Sequence, residues 1–116
     1  MLKPIPAAQK EAANQALGAY CGIKIAPHLR DKVRLVYQWW GDAVALIEQH
    51  PHNAVPKRWV DIPIARFKYD CEEGTWWLFQ RDRCQRWQFY KEQPDSSEFI
   101  RLFEEINGDP TGIFWR

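Results

Sequence analysis

Between Val33 and Lys91 the chain repeats one pattern, short runs in which aromatic or aliphatic residues alternate with polar ones, separated by breaks that carry Gly, Pro or Asp. Alternation with a period of two marks strands, and closely spaced runs of it call for an antiparallel sheet. The clearest instance is VRLVYQWW (Val33 to Trp40), then Gly41-Asp42, then AVALIEQH (Ala43 to His50). Gly-Asp supplies the positive φ that a type I′ or II′ hairpin turn requires. WVDIPIARFKY (Trp59 to Tyr69) reads as a third strand, and Pro63 within it predicts an edge position or a bulge. Cys71 to Gly74 turns the chain, and TWWLFQR (Thr75 to Arg81) and RWQFYK (Arg86 to Lys91) form a second hairpin around Asp82 to Gln85. Five strands in sequence order make a meander the simplest topology.

Helical spacing appears only at the two ends. AAQKEAANQALGAY (Ala7 to Tyr20) is rich in helix formers and sets Ala13, Ala16, Leu17 and Tyr20 on one face, with Gly18, Gly22 and Pro27 marking its exit. DSSEFIRLFEEIN (Asp95 to Asn107) starts with Asp95 and Glu98 at capping-box spacing, aligns Phe99, Leu102, Phe103 and Ile106, and is followed by Gly108 as a C-terminal cap. The closing Ile113-Phe114-Trp115 predicts a tail that docks, since each such side chain gains about 1.5 to 3 kcal/mol on burial. The expected fold is α+β, an antiparallel sheet of about five strands in a meander flanked by an N-terminal and a C-terminal helix. Its 116 residues fit one domain, 1–116.

The formal charge of +1 gives no bulk attraction to nucleic acid or to an anionic membrane. Its distribution is uneven. Eight basic residues oppose five acidic ones between Lys57 and Lys91, whereas two oppose six from Glu92 onward. Three cysteines without CxxC spacing, Cys21, Cys71 and Cys84, point to reduced thiols and a cytoplasmic location. No apolar stretch approaches a membrane span, so no membrane association is expected.

The segments PHLRDKVRLVY (Pro27 to Tyr37), PIARFKYD (Pro63 to Asp70), TWWLFQRDRCQRWQFY (Thr75 to Tyr90) and DPTGIFW (Asp109 to Trp115) occur in that order over nearly the whole chain. Together they resemble a bacterial family called domain of unknown function 3024. The resemblance implies a whole-length domain, and it implies no activity and no functional residue.

Aromatics make up 15% of the chain, with seven Trp, and they interleave with arginine on the strands. Sheets that bind single strands carry aromatic faces for bases and flanking cations for phosphates, and Trp, Tyr and Arg also dominate protein interfaces. The bland alternative is that half of the rings are core and the rest are covered by stacked arginines. The binding residues expected on this basis are Arg34, Trp40, Arg66, Trp77, Arg81, Arg83 and Arg86, with nucleic acid or a protein as partner, or a second copy in a homodimer. Arg81-Asp82-Arg83 at a hairpin tip reads as an anion grip or simply as turn chemistry.

The enzymatic alternative is a small metal-independent ribonuclease-like hydrolase. His28, Glu48, His50 and Arg66 would then supply acid, base and charge stabilisation. His50-Pro51-His52 offers two metal-ligand types without a third, and carboxylates from Glu48, Asp61, Asp70 and Glu72 form no nuclease pattern. No metal or cofactor is expected, and the glycines make neither a P-loop nor a dinucleotide fingerprint.

Overall fold

The structure, a computed structural model, describes residues 5–55, 57–82, 84–91 and 96–115. Helix α1 (Ala7–Ile23) leads through a 3-10 turn, Pro27–Leu29, into strands β1 (Arg34–Trp40), β2 (Ala43–Pro51), β3 (Trp59–Asp70), β4 (Thr75–Arg81) and β5 (Trp87–Phe89), and helix α2 (Phe99–Gly108) follows. The strands form one antiparallel sheet in the order β1-β2-β3-β4-β5, a meander. The fold is α+β, as the alternating runs predict.

The turns follow from their residues. Gly41 alone has a positive φ, 61°, between β1 and β2, the pattern of a type II′ turn. Asp70 Oδ1 accepts from the backbone N–H groups of Glu72 and Glu73, and Gly74 at φ 68° lets the chain return into β4. Pro63 stands at a bulge, in the part of β3 that pairs with β2 and, among the described residues, not with β4, so the bulge and a local edge position are both met. Leu46 opposes Ala65 whereas Ile47 opposes Pro63, leaving Ile64 as the extra residue of β3.

The core lies between one face of the sheet and the two helices. Val44, Leu46, Phe67, Trp76 and Leu78 point into it and meet Ala13 and Leu17 of α1 and Phe99, Leu102 and Ile106 of α2. Trp76, fully buried, packs edge-on to Tyr69 at 5.1 Å and to Phe99 at 5.0 Å. Because α1 has a narrow apolar face, its polar side chains also dock. Gln9 Oε1 accepts from Trp76 Nε1 at 3.0 Å, and Asn14 Oδ1 accepts from Trp39 Nε1 at 2.8 Å. The helix ends at Ile23, three residues past Tyr20 and one past Gly22, before Pro27, and it continues through Gly18 because packing of the buried Tyr20 outweighs the low helix propensity of glycine.

Helix α2 starts at Phe99 rather than Asp95, which lies outside the described residues. Ser96 is held extended by two backbone bonds to Trp76, so the helix forms only after it. The left-handed C-terminal position is also displaced by one residue. Gly108 is helical and Asp109 takes φ 42°. From there Asp109 collects the tail, with Oδ1 accepting from Phe114 N–H at 3.2 Å and Oδ2 from Trp115 N–H at 3.0 Å. The indole of Trp115 donates to the Ile106 carbonyl at 2.9 Å, and Phe114 is buried against Tyr90 at 5.0 Å. The tail is docked.

Candidate functional site

The pleat sorts the strand residues onto two faces, and the pairing register shows which side chains share a row. On the face away from the helices, Trp40, Ala43, Lys68 and Trp77 line up across β1 to β4. The next row is Gln38, Ala45, Arg66, Phe79 and Phe89. Arg34, Gln49 and Asp61 form a row farther along, and Arg81 faces Trp87 across the last hairpin. Four of the seven tryptophans (Trp40, Trp59, Trp77 and Trp87) therefore lie on the open face, and Trp39, Trp76 and Trp115 pack with the core.

This face has relief. Trp40 is 58% exposed and Trp77 37%, whereas Ala43 and Ala45 are 1% and 3% exposed because larger neighbours stand over them. The result is a cavity of about 240 Å³ floored by Ala43 and Ala45, walled by Trp40 and Trp87, with Arg66 at its side. Its indoles offer faces on which a flat ring can stack, and its cation can meet the charge that accompanies one.

Two arginines are already stacked. The Arg34 guanidinium lies 3.7 Å from the Trp59 ring centre, and that of Arg81 lies 5.9 Å from Trp87. The covered-ring reading thus accounts for Trp59 and Trp87 but not for Trp40 or Trp77. A cluster of Trp77, Phe79 and Phe89, with ring centres 5.5 and 6.0 Å apart, forms a ridge over β4 and β5. Outward charges on the strands are Arg34, Arg66, Lys68 and Arg81 against Asp61 and Asp70, a basic balance. Asp70 is engaged in its turn, and Gln49 Nε2 donates to Asp61 at 2.8 Å.

Of the expected binding residues, Arg34, Trp40, Arg66, Trp77 and Arg81 share this face. Arg86 sits in the exposed hairpin connection with Nε 3.7 Å from Asp82, and Arg83 lies outside the described residues. The hairpin tip is turn chemistry first. Asp82 Oδ1 accepts from Arg86 N–H, a bond that holds the Asp82 carboxyl below its usual range, and Arg81 reaches back to the carbonyl and Oε1 of Gln85.

The four residues of the hydrolase alternative are only partly gathered. Glu48 and His50 share the helix side of β2, with His50 Nε2 3.1 Å from Glu48 Oε1. Both line an open cavity of about 380 Å³ with Arg81, Asp82 and Gln85. Arg66 projects from the opposite face, and His28 is exposed on the connection before β1. His52 serves its own loop, its Nδ1 accepting from Ala54 and Val55 N–H. Among the described residues no group of three His, Cys, Asp or Glu could hold a metal, and no helix is long and apolar enough to cross a membrane.

Sequence reasoning missed Ala43, Ala45 and Lys68 as parts of the open face. The available signal was small residues at alternating positions of β2 beside aromatic strands, which marks a hollow only once the register is known.

The sequence matches the family described as Domain of unknown function (DUF3024) over residues 5–116. No curated protein and no solved structure matches the chain.

Proposed function

The chain belongs to the DUF3024 family, and since that description assigns no activity, we propose from the open face alone that it is a binding domain for single-stranded nucleic acid. The observation that carries this reading is the hollow between Trp40 and Trp87 over Ala43 and Ala45, with Arg66 beside it. A nucleobase fits the chemistry of such a slot. It offers two π-faces to indoles, brings a phosphate to the neighbouring cations, and gains about 1 to 3 kcal/mol per stacked base. Lys68 and Arg34 extend the positive surface along the same face.

A second reading rests on the contact between Glu48 and His50 in a cavity that Arg81 also lines. A carboxylate-oriented imidazole near a guanidinium is the minimum for metal-independent RNA cleavage. One experiment separates the two. The protein is titrated with 12-nucleotide oligo(U) and oligo(dT) at low salt, with EDTA present, while Trp emission is followed and the RNA is recovered afterwards. Binding predicts quenched emission, an affinity that falls steadily with added salt, intact RNA, and about tenfold or greater weakening in Trp40→Ala. Unchanged emission with both oligomers sinks the binding reading. Cut RNA, with the cutting lost in His50→Ala, transfers the function to the second site.

A further inference from the structure

The relief of the open face also has a direction. Along β2 the outward residues are Ala43, Ala45 and Ile47, all buried beneath the residues on either side, so the floor follows the strand. One wall is β1, which presents Trp40 and Gln38 at one end and Arg34 at the other. The opposite wall carries Lys68 and Arg66. Beyond that wall the ridge of Trp77, Phe79 and Phe89 lies over β4 and β5.

The ends of this valley differ in charge. Beyond Trp40 and Lys68 stands the turn that carries Asp70, Glu72 and Glu73, which repels a phosphate chain. At the far end the Arg34 guanidinium stands over the Trp59 ring, 3.7 Å from its centre, and guanidinium planes stack bases. Arg34 and Trp40 stand six positions apart on β1, a span of about 20 Å.

We propose that a single strand lies in this valley parallel to β2, entering the Trp40–Trp87 slot with one base and reaching the Arg34–Trp59 stack with another, and that it covers about four nucleotides. The proposal rests on the nucleic-acid reading above and adds the path and the footprint. Four is at the low end of the roughly 4 to 16 nucleotides that small β-domains occupy. The slot at the Trp40 end binds even the shortest oligomers. The Arg34 stack is reached only by longer ones.

The test uses fluorescein-labelled oligo(dT) of 2, 3, 4, 6, 8 and 12 nucleotides with the full chain, read by anisotropy at low salt. Affinity is expected to rise about tenfold or more between dT2 and dT4 and then to level off, apart from the small gain from alternative registers. Trp40→Ala weakens every length about tenfold or more. Arg34→Ala weakens dT8 by a similar factor and dT2 clearly less. Arg34→Lys keeps the charge without the plane, so it loses most of the dT8 affinity while the salt slope is retained. Unaltered circular dichroism melts certify that each variant is folded. A steady climb to dT12, or equal effects of Arg34→Ala on dT2 and dT8, overturns the valley but leaves the binding face standing. Failure of every length to bind overturns both.

Discussion

Asp109 closes the C-terminal end of α2 and holds the tail, so its replacement tests the account of how residues 109–115 are organised. Its carboxylate accepts two backbone N–H groups, worth about 1 kcal/mol each at a half-buried position. Its φ of 42° adds about 1 kcal/mol against any β-carbon that lacks the local compensation available to Asp and Asn. Asp109→Ala is therefore expected to lose about 3 kcal/mol. Asp109→Gly, which makes neither bond but accepts the backbone angle, should lose about 2. Asp109→Asn keeps one good acceptor and the angle and should lose about 1. The assay is urea unfolding followed by both Trp emission and circular dichroism, with the slope compared across variants. Trp115→Phe removes the indole bond to Ile106 and acts on the same tail, so the double variant should lose less than the sum of the two singles. Asp109→Ala within about 0.5 kcal/mol of the wild type, or Asp109→Gly less stable than Asp109→Ala, refutes the reasoning.

Two further predictions concern α1. The Tyr20 hydroxyl is buried and has no hydrogen-bond partner among the described residues, so Tyr20→Phe should stabilise the fold by up to about 1 kcal/mol at neutral pH, measured by urea unfolding. Burial pushes Tyr20 from 10.0 up to about 12 and Cys21 from 9.0 up to about 11. Both protons leave the unfolded chain first. Stability is therefore complete below pH 9, falls as pH rises through 9 to 12, and falls less steeply in Tyr20→Phe, as thermal melts across that range will show. Gln9→Ala strands the buried Trp76 N–H and should cost about 1 to 3 kcal/mol in the same unfolding assay, whereas replacing the neighbouring exposed Ala8 with Gln should cost less than about 0.5.

The sheet was legible because a half-buried strand writes its two faces into alternate residues, and Thr75–Arg81 was placed to the residue. Helix ends were harder to read. The start of α2 depends on Ser96 pairing with Trp76, twenty residues earlier in the chain, which no local pattern records. Pro63 was readable as an exception and not as a position, since both an edge and a bulge excuse its missing N–H. For the candidate site, the types and most of the positions could be read, because Trp and Arg on alternating strands are rare enough to notice. The hollow could not, because Ala43 and Ala45 look like ordinary apolar strand residues until the register sets Trp40 and Lys68 beside them. The partition of Glu48 and Arg66 onto opposite faces likewise depends on pairing across β2 and β3.

The bulge at Pro63 reaches beyond the shape of the sheet. The β3–β4 ladder stops at the Arg66–Phe79 pair, so among the described residues strand β3 is paired from Trp59 to Pro63 with a strand on one side only. His52 N–H donates to the Arg58 carbonyl, and with the observed register this turns the amides of residues 60 and 62 toward β2 and those of 59, 61 and 63 outward. An outward row of donors and acceptors is a template on which another chain can grow. Here the third donor is missing because residue 63 is proline, and Asp61 would face its own charge in a like-paired copy. A deviation in one strand thus bears on the behaviour of many molecules together, discouraging edge-to-edge stacking at a place where, among the described residues, no strand pairs with that side of β3.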